Sequence, residues 1–405
     1  MRFRGHVLVL AAGWLGAQVV QVIPKTWEDR AIQSLELPVA GLGKPAVPVT
    51  SDYYYRIPER PVYRSYPIYP PGRTPAGYRE WLEQQEPEMV FDAAKLTTAA
   101  GWTRAGELVF HAPVALEPAT TEHETQDPGW WDKAAGPLAK DGSLAFLRYV
   151  VRKKGAVEVG SFSCAMCHTR VMADGSVIYG GQGNFPLTLA RTADDPLRPV
   201  QVPDLIGVRD RRYLDHTGLR RQRGVGDLMR YAALHQGADV LATGKFPEPS
   251  SLTRYGDDQL YALALYVYSL KPPPNPNRPE AWSARGEKVF TREGCAACHT
   301  PPLYTNNKLT PVEGFRAPAG QQDVMPVVVG TDPGLALKTR RGTGYYKVPS
   351  LRGVWYRGPF EHSGRVATLE EWLDPKRLGT VKGHEFGLGL SGEDRRALVA
   401  FLKTL

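Results

Sequence analysis

The sequence has only four cysteines and six methionines among its 405 residues. Four cysteines are too few for a disulfide-dense scaffold, and beyond residue 23 no apolar stretch is long enough to cross a bilayer. Glycine (41) and proline (35) are frequent instead, which argues against a long helical bundle or coiled coil because both residues interrupt helices. Hydrophobic residues at 42% and charged residues at 23% exclude wholesale disorder. The length favours two or three domains.

The first 23 residues have the layout of an export signal. Arg2 and Arg4 form a basic start, and residues 7–23 are apolar except for two glutamines. Cleavage after Ala17 is one interpretation. An uncleaved membrane anchor is the other, because the apolar run reaches the short end of the roughly 17–25 residues that span a bilayer. Both interpretations place residues 24–405 outside the cytoplasm and predict a periplasmic protein.

All four cysteines belong to two copies of one motif. The copies of C-x-x-C-H are formed by Cys164, Cys167 and His168 and by Cys295, Cys298 and His299. Two cysteines three positions apart in one helical turn can each form a thioether with a haem vinyl group, and the adjacent histidine is then carried under the iron as its proximal ligand. The motifs therefore predict two covalently attached haem c groups, with His168 and His299 bound to iron.

Three other uses of paired cysteines fit the pattern less well. A redox-active C-x-x-C pair requires neither the histidine nor a second copy. A zinc site built from two C-x-x-C pairs normally places them much closer than Cys167 and Cys295. A disulfide within either motif would close a small and strained loop.

The sequence around the two motifs is itself repeated. Upstream, W-x-x-x-G-E-x-V-F occurs at 102–110 and 282–290, and downstream, V-P-x-L-x-G-V occurs at 202–208 and 348–354. Thirteen residues after each proline stands a histidine, His216 in D-H-T-G and His362 in E-H-S-G. Each copy closes with a predicted helix. The order of opening helix, haem motif, proline-led loop and closing helix thus occurs twice.

The repeat sets the expected domain boundaries. They are an arm at 24–97, rich in proline and tyrosine; a first haem domain at 98–272, with an insertion at 111–158; and a second haem domain at 278–405. The prolines of 271–277 predict a stiff, extended linker between the two haem domains. One helix is expected near 77–85 in the arm and one at 143–152 in the insertion.

The repeated residues resemble those of the bacterial dihaem cytochrome c peroxidase family, whose wider relatives include a dihaem enzyme that matures a tryptophan-derived quinone and the dihaem rubber oxygenases. The resemblance is carried by G-S-F-S-C-A-M-C-H at 160–168, K-V-P-S-L-R-G-V at 347–354, P-F-E-H-S-G-R-V-A-T-L-E-E at 359–371 and the closing helix. It covers 98–405 and implies a mainly α fold of two tandem cytochrome c-like haem domains behind the N-terminal arm. One haem would receive electrons and the other would bind an oxidant.

Two features depart from the pattern of the peroxidases. Their C-terminal haem usually has a methionine ligand, but no methionine follows Met325 here; K-G-H-E-F-G stands at 382–387, and its His384 is the candidate distal ligand of the second haem. The glutamine and glutamate that frame the peroxide pocket of the peroxidases are not recognisable in the first domain. For the first haem, the distal candidates are Met229 and His235, on a predicted helix.

Other residues are expected around the haems without binding iron. For His216 and His362, a distal-ligand role stands beside a role as pocket residues that bond a propionate or a backbone carbonyl. Arg221, Arg341 and Arg352 are expected to face the anionic propionates. With a net charge of +8, the remaining basic residues would attract an acidic redox partner protein. Nucleic acid is not an expected partner in this compartment, and a membrane is one only if the N-terminal segment stays as an anchor.

Two functions follow from these motifs. One is an oxidoreductase, peroxidase-like or oxygenase-like, in which electrons pass between two haems and the first haem has an open axial position. The other is a pure electron-transfer cytochrome with both irons six-coordinate. The insertion and the long arm exceed what a simple carrier needs, and they favour the first.

Overall fold

The computed structural model describes residues 22–40, 47–114, 122–134, 136–185, 201–236, 246–339 and 342–405. It is 35% helix and 13% strand, so helices prevail. Within the described residues no helix combines the length and the apolar character needed to cross a membrane. The export signal predicted at 1–23 lies almost wholly outside these residues.

The described residues form thirteen α-helices and nine short strands. The helices are α1 (Asp29–Gln33), α2 (Ser51–Arg56), α3 (Tyr78–Glu83), α4 (Ala99–His111), α5 (Glu122–Gln126), α6 (Pro128–Ala134), α7 (Cys164–Cys167), α8 (Val225–Gln236), α9 (Asp257–Ser269), α10 (Ala281–Arg292), α11 (Gly334–Lys338), α12 (Leu369–Trp372) and α13 (Gly392–Lys403). The strands are β1 (Ser65–Ile68), β2 (Leu144–Lys153), β3 (Ala156–Gly160), β4 (Thr169–Val171), β5 (Val177–Tyr179), β6 (Tyr213–Leu214), β7 (Arg220–Arg221), β8 (Leu309–Pro311) and β9 (Tyr345–Lys347).

The sequence repeat folds into two equivalent helix pairs. The opening helix α4 packs on the closing helix α9, and α10 packs on α13 in the same way. The glycine of each W-x-x-x-G-E motif lies at the crossing: a methyl group at Gly106 would stand 1.9 Å from the carbonyl oxygen of Ala262, and one at Gly286 would stand 1.9 Å from that of Ala397. Only a residue without a side chain lets the backbones approach so closely.

The proline-led loops also share their backbone conformation. Gly207 and Gly353 both have φ of 73° before a 3-10 turn, and Asp215 and Glu361 have φ of 63° and 68° directly before the two loop histidines. A left-handed conformation is uncommon in residues other than glycine. Its recurrence at equivalent positions shows that the backbone enters the two histidines in the same conformation.

The helix predicted at 143–152 is wrong, because this segment is strand β2. It is the central strand of an antiparallel sheet ordered β1-β2-β3, with Tyr149 opposite Tyr66 on one side and opposite Val159 on the other. Seven of its first eight residues are buried, so the sequence shows a continuous apolar run rather than strand alternation. Such a run does not distinguish a buried strand from a buried helix.

Residues of the N-terminal segment 24–97 contribute to the same buried core as α4, α8 and α9. The helix expected near 77–85 is present as α3, and α1, α2 and β1 were not expected. Trp27 stacks on Tyr54 with ring centroids 4.5 Å apart, and its indole donates to the Val49 carbonyl. Both rings belong to the buried cluster that contains α4, α8 and α9. Further along, the amide of Ala40 donates to the carbonyl of Gly342, which belongs to the second copy of the repeat.

Candidate haem sites

Each C-x-x-C-H motif forms a single tight turn. In the first, Ser163 caps α7 by accepting from the Met166 amide at 3.0 Å, and the His168 amide donates to the Cys164 carbonyl at 2.8 Å. In the second, a 3-10 turn over Cys295–Ala297 follows Gly294, whose φ is 73°. The His299 amide donates to the Cys295 carbonyl at 2.9 Å. One turn thus carries two thiols and the imidazole that follows them, as thioether attachment requires.

Both motif histidines are oriented by the repeated proline. The Nδ1 of His168 lies 3.0 Å from the carbonyl oxygen of Pro203, and the Nδ1 of His299 lies 3.1 Å from that of Pro349. A carbonyl only accepts, so each Nδ1 carries the proton and donates it, and Nε2 keeps the lone pair that binds a metal. Burial lowers the pKa of His168 to about 4 and also lowers that of His299, which keeps both imidazoles neutral.

A large cavity lies beside the second motif. Its volume of about 430 Å³ is within the range of small-molecule and cofactor sites. Residues of both copies of the sequence repeat line it. Cys295, Cys298 and His299 stand on one side, and His384 also lines it. The thiols of Cys295 and Cys298 are free, and burial raises the pKa of both.

His299 and His384 face each other across a gap that fits one metal ion. Their ring centroids are 6.4 Å apart. Two metal–nitrogen bonds of about 2 Å, with about 1 Å from each nitrogen to its ring centre, require about 6 Å. Burial lowers the pKa of His384 to about 3, and its Nδ1 is buried without a hydrogen-bond partner. The residues of the second site therefore fit a haem iron with two histidine ligands.

A buried arginine organises the loop that carries His384. Arg377 is 4% exposed and donates to the carbonyls of Val381, Gly383 and His384 at 2.6–3.0 Å. The guanidinium also lies 4.5 Å from the ring of Trp372, which is itself 5.3 Å from the His384 ring. Arg377 thus fixes the backbone on both sides of the candidate ligand.

Among the residues that the structure describes, three cations line the cavity, and neither Arg221 nor Arg352 is one of them. They are Arg211, Lys347 and Arg357. Burial and, after it, the positive charge of the nearby Arg211 lower the pKa of Lys347 to about 7. Arg221 and Arg352 are exposed and lie outside the lining, and Arg341 lies outside the described residues. The cationic lining suits the propionates of a haem.

A sequence signal for two of these cations was present but missed. Arg211 stands eight residues after Pro203, and Arg357 stands eight residues after Pro349. Arg211 donates to the carbonyls of Asp204 and Ile206, and Arg357 donates to those of the equivalent residues, Ser350 and Arg352. The motif V-P-x-L-x-G-V therefore continues to an arginine that holds its own loop.

The two loop histidines make different contacts. The Nε2 of His216 lies 2.7 Å from the Gln201 carbonyl, to which it donates. The Nδ1 of His362 contacts the Glu361 carboxylate, and its Nε2 lies 3.2 Å from the Tyr346 hydroxyl. Both histidines line the cavity. Nε2 of His216 and both ring nitrogens of His362 therefore already contact other groups of the chain.

In the part of the chain that the structure describes, no histidine pair like His299 and His384 is found at the first site. Met229 is fully buried in the core cluster, and His235 packs on Tyr231 with ring centroids 4.3 Å apart. Among the described residues, which omit 186–200 and 237–245, no second histidine ring contacts that of His168. In both sites, the motif histidine lies against a proline carbonyl. Only the second site has another histidine opposite it among the described residues.

No family model matches the chain. Curated relatives include cytochrome-c peroxidase IdrP2 of Denitromonas iodatirespirans, 31% identical over 140 residues, which are 30% of this chain and 38% of the relative. Methylamine utilization protein MauG of Methylorubrum extorquens is 34% identical over 131 residues, 30% of this chain and 33% of the relative. The matches thus span about a third of the length of these relatives.

Solved structures give more distant matches. Hydrazine synthase of Kuenenia stuttgartiensis matches with a TM-score of 0.37 and 17% identity, over 80% of this chain and 97% of the other. A MauG-like protein associated with microbial copper homeostasis matches with a TM-score of 0.36 and 16% identity, over 61% and 82%. The curated matches confirm the resemblance predicted from the motifs: over about a third of its length, this chain is similar to bacterial cytochrome c peroxidases and to MauG.

Proposed function

We propose that the chain is an exported, periplasmic dihaem c-type cytochrome in which electrons pass between two covalently bound haems. We propose further that the first haem carries a peroxidase-like or oxygenase-like oxidoreductase activity. The observation that carries the proposal is the pair of equivalent proximal sites, His168 on Pro203 and His299 on Pro349, of which only the second has a histidine opposite among the described residues.

When bound, haem supplies one-electron ferric and ferrous chemistry and, where an axial position is open, a site for an oxidant. The chain's own residues divide this work. Pro203 and Pro349 keep a proton on Nδ1 of the proximal histidines, which makes each imidazole a stronger ligand. His384 would hold the second haem from the side opposite His299, and two histidine ligands would suit that haem to electron transfer. Arg211, Lys347 and Arg357 offset the charge of propionates in the cavity.

The names of the curated relatives support the oxidoreductase part of the proposal, since four of the five are cytochrome c peroxidases. A redox partner protein is part of the same proposal. The net charge of +8 favours an acidic partner, because opposite charges accelerate the encounter of two proteins.

Haem counting tests the cofactor assignment. Wild-type protein is expected to contain two haems by the pyridine haemochrome assay. The variants Cys164→Ala/Cys167→Ala and Cys295→Ala/Cys298→Ala are each expected to keep one covalently bound haem, still visible by haem staining after denaturing electrophoresis. The quadruple variant, which lacks all four thiols, is the matched control and should keep none. A double variant with the full wild-type haem content contradicts the assignment for that site.

Peroxide tests the activity. Addition of hydrogen peroxide to the fully reduced protein is expected to reoxidise both haems within the mixing time of a stopped-flow measurement, and the Cys164→Ala/Cys167→Ala variant is expected to lose this response. If the wild-type protein is as slow as that variant, the peroxidase-like activity is contradicted.

A further inference from the structure

The two proximal histidines are connected through one buried ion pair. Asp204 directly follows Pro203, whose carbonyl accepts from His168. Its carboxylate lies 3.5 Å from Nε of Arg357, and the two side chains are 3% and 11% exposed. Arg357 in turn donates to the Ser350 carbonyl at 2.9 Å, and Ser350 follows Pro349, whose carbonyl accepts from His299.

Asp204 is where the internal repeat is broken. The equivalent residue of the second copy is Ser350, which has no charge, so of the two V-P-x-L-x-G-V segments only the first contains a carboxylate. Its position is fixed from both sides: one oxygen accepts from the Ile206 amide at 2.9 Å, and the other accepts from the Tyr356 hydroxyl at 2.8 Å. Tyr356 is 1% exposed. This carboxylate is therefore held in place rather than free to follow the arginine.

We infer that Asp204 and Arg357 form a charged bridge through which each haem site senses the charge on the other. The inference rests on the proposed dihaem function and names two positioning residues for it. Oxidising an iron adds one positive charge to its site. In a buried region such a charge acts over several ångströms with little screening, so a fixed carboxylate stabilises the ferric state and a fixed guanidinium opposes it.

The bridge makes a directional prediction for both haems. Asp204→Asn removes the carboxylate from the first site and leaves Arg357 unneutralised near the second, so both reduction potentials should rise. Arg357→Gln should lower both for the opposite reason. At a fixed applied potential, each single variant is expected to change the ferric-to-ferrous ratio of both haems by about tenfold, which corresponds to about 59 mV for one electron. The double variant should lie close to wild type.

The measurement is a spectroelectrochemical titration, in which an electrode supplies one electron per iron and the two haems are distinguished by their electron paramagnetic resonance signals. Asn at 204 keeps the acceptor for the Ile206 amide, so the loop has no reason to unfold. Arg209→Gln and Asp210→Asn, two exposed charges on the neighbouring turn, are the matched controls and should leave both potentials near wild type. Arg357→Lys keeps the charge and should restore the potentials even if the free energy of unfolding falls.

Opposite results overturn the inference. Shifts confined to the haem of the mutated domain, or no larger than those of the two control variants, show that the ion pair does not couple the sites. The same conclusion follows if Arg357→Lys behaves like Arg357→Gln, because the effect is then structural. A protein without two haem signals would instead contradict the proposed function, so the two failures are separate.

Discussion

His384 occupies a backbone conformation that histidine seldom adopts. Its φ is 44°, and such left-handed residues persist only where the surroundings hold them. Here Arg377 binds the carbonyls on both sides, and the His384 amide donates to the Val329 carbonyl at 2.7 Å. Strain held in this way at a residue facing His299 points to a function for the imidazole rather than to a surface loop.

Removal of the His384 imidazole should change the spin state of the second haem. His384→Ala should convert this haem from low spin to high spin, because one axial ligand is lost. His384→Met should keep it six-coordinate and raise its potential, since a thioether favours ferrous iron. Visible spectra and redox titration measure both, with the exposed neighbour Glu385→Gln as the control. An unchanged spectrum and potential in His384→Ala would exclude this ligand and return attention to His362 or Met325.

His111 gives a pH prediction away from the irons. Its ring packs against Tyr179 at 4.6 Å, its Nδ1 is buried without a partner, and burial, with the nearby Arg148, lowers its pKa from 6.5 to about 4. Between these values the unfolded chain binds the proton more tightly than the folded one, so stability should fall as the pH falls from 6.5 to 4.

His111→Gln should remove part of this dependence. In the haem-loaded protein, the loss of unfolding free energy between pH 6.5 and 4 should shrink by at most about 3 kcal/mol. Denaturant unfolding at several pH values measures it, with the wild-type protein as the reference. Equal slopes for both proteins would show that His111 does not titrate in this range.

At the residue scale, spacing alone was enough to nominate the six motif residues, because thioether attachment permits little variation. His384 could be nominated because histidines are few and its position precedes the closing helix. Arg211 and Arg357 could have been found by extending the repeat by three residues. The Asp204–Arg357 contact could not, because it joins positions 153 residues apart that lie in different copies of the repeat.

At the scale of the elements, the crossing of α10 and α13 yields the sharpest test. Gly286→Ala would place a methyl group 1.9 Å from the Ala397 carbonyl oxygen, so the helices must separate. We expect a loss of about 1–3 kcal/mol of unfolding free energy and a loss of haem from the second site. Gly389→Ala is the matched control, since its methyl group would meet no atom within 4 Å, and it should cost less than about 0.5 kcal/mol. Equal effects in both variants would contradict the described crossing.

The elements also show why the insertion was misassigned. The opening and closing helices were expected correctly because their pattern recurs and capping residues precede them: Thr98 accepts from the Gly101 amide and Ser391 from the Asp394 amide. Strand β2 is buried on both faces, and its partner β1 comes from the arm, more than 75 residues earlier. A local pattern carries no information about such a distant partner.

For the whole molecule, the asymmetry between the two sites predicts how many irons accept a gas. Carbon monoxide binds ferrous haem at an open axial position. If His384 closes the second site and the first stays open, the reduced protein should bind about one carbon monoxide per chain. Gas titration of the visible spectrum measures this, and His384→Ala should raise the number to about two. No binding in the wild-type protein, together with no response to peroxide, would favour simple electron relay.

The α4–α9 and α10–α13 crossings are so similar that their shape alone does not determine which closing helix packs on which opening helix. Ion pairs mark the correct choice in the second domain, where Arg285 contacts Asp394 at 2.7 Å. In α9 the residue equivalent to Asp394 is Gln259, because Gly106 meets Ala262 as Gly286 meets Ala397. Gln259 carries no charge, and its side-chain amide donates to the Arg60 carbonyl at 2.9 Å. At this position α9 therefore offers Arg285 no carboxylate, and the ion pair favours α13 as the partner of α10.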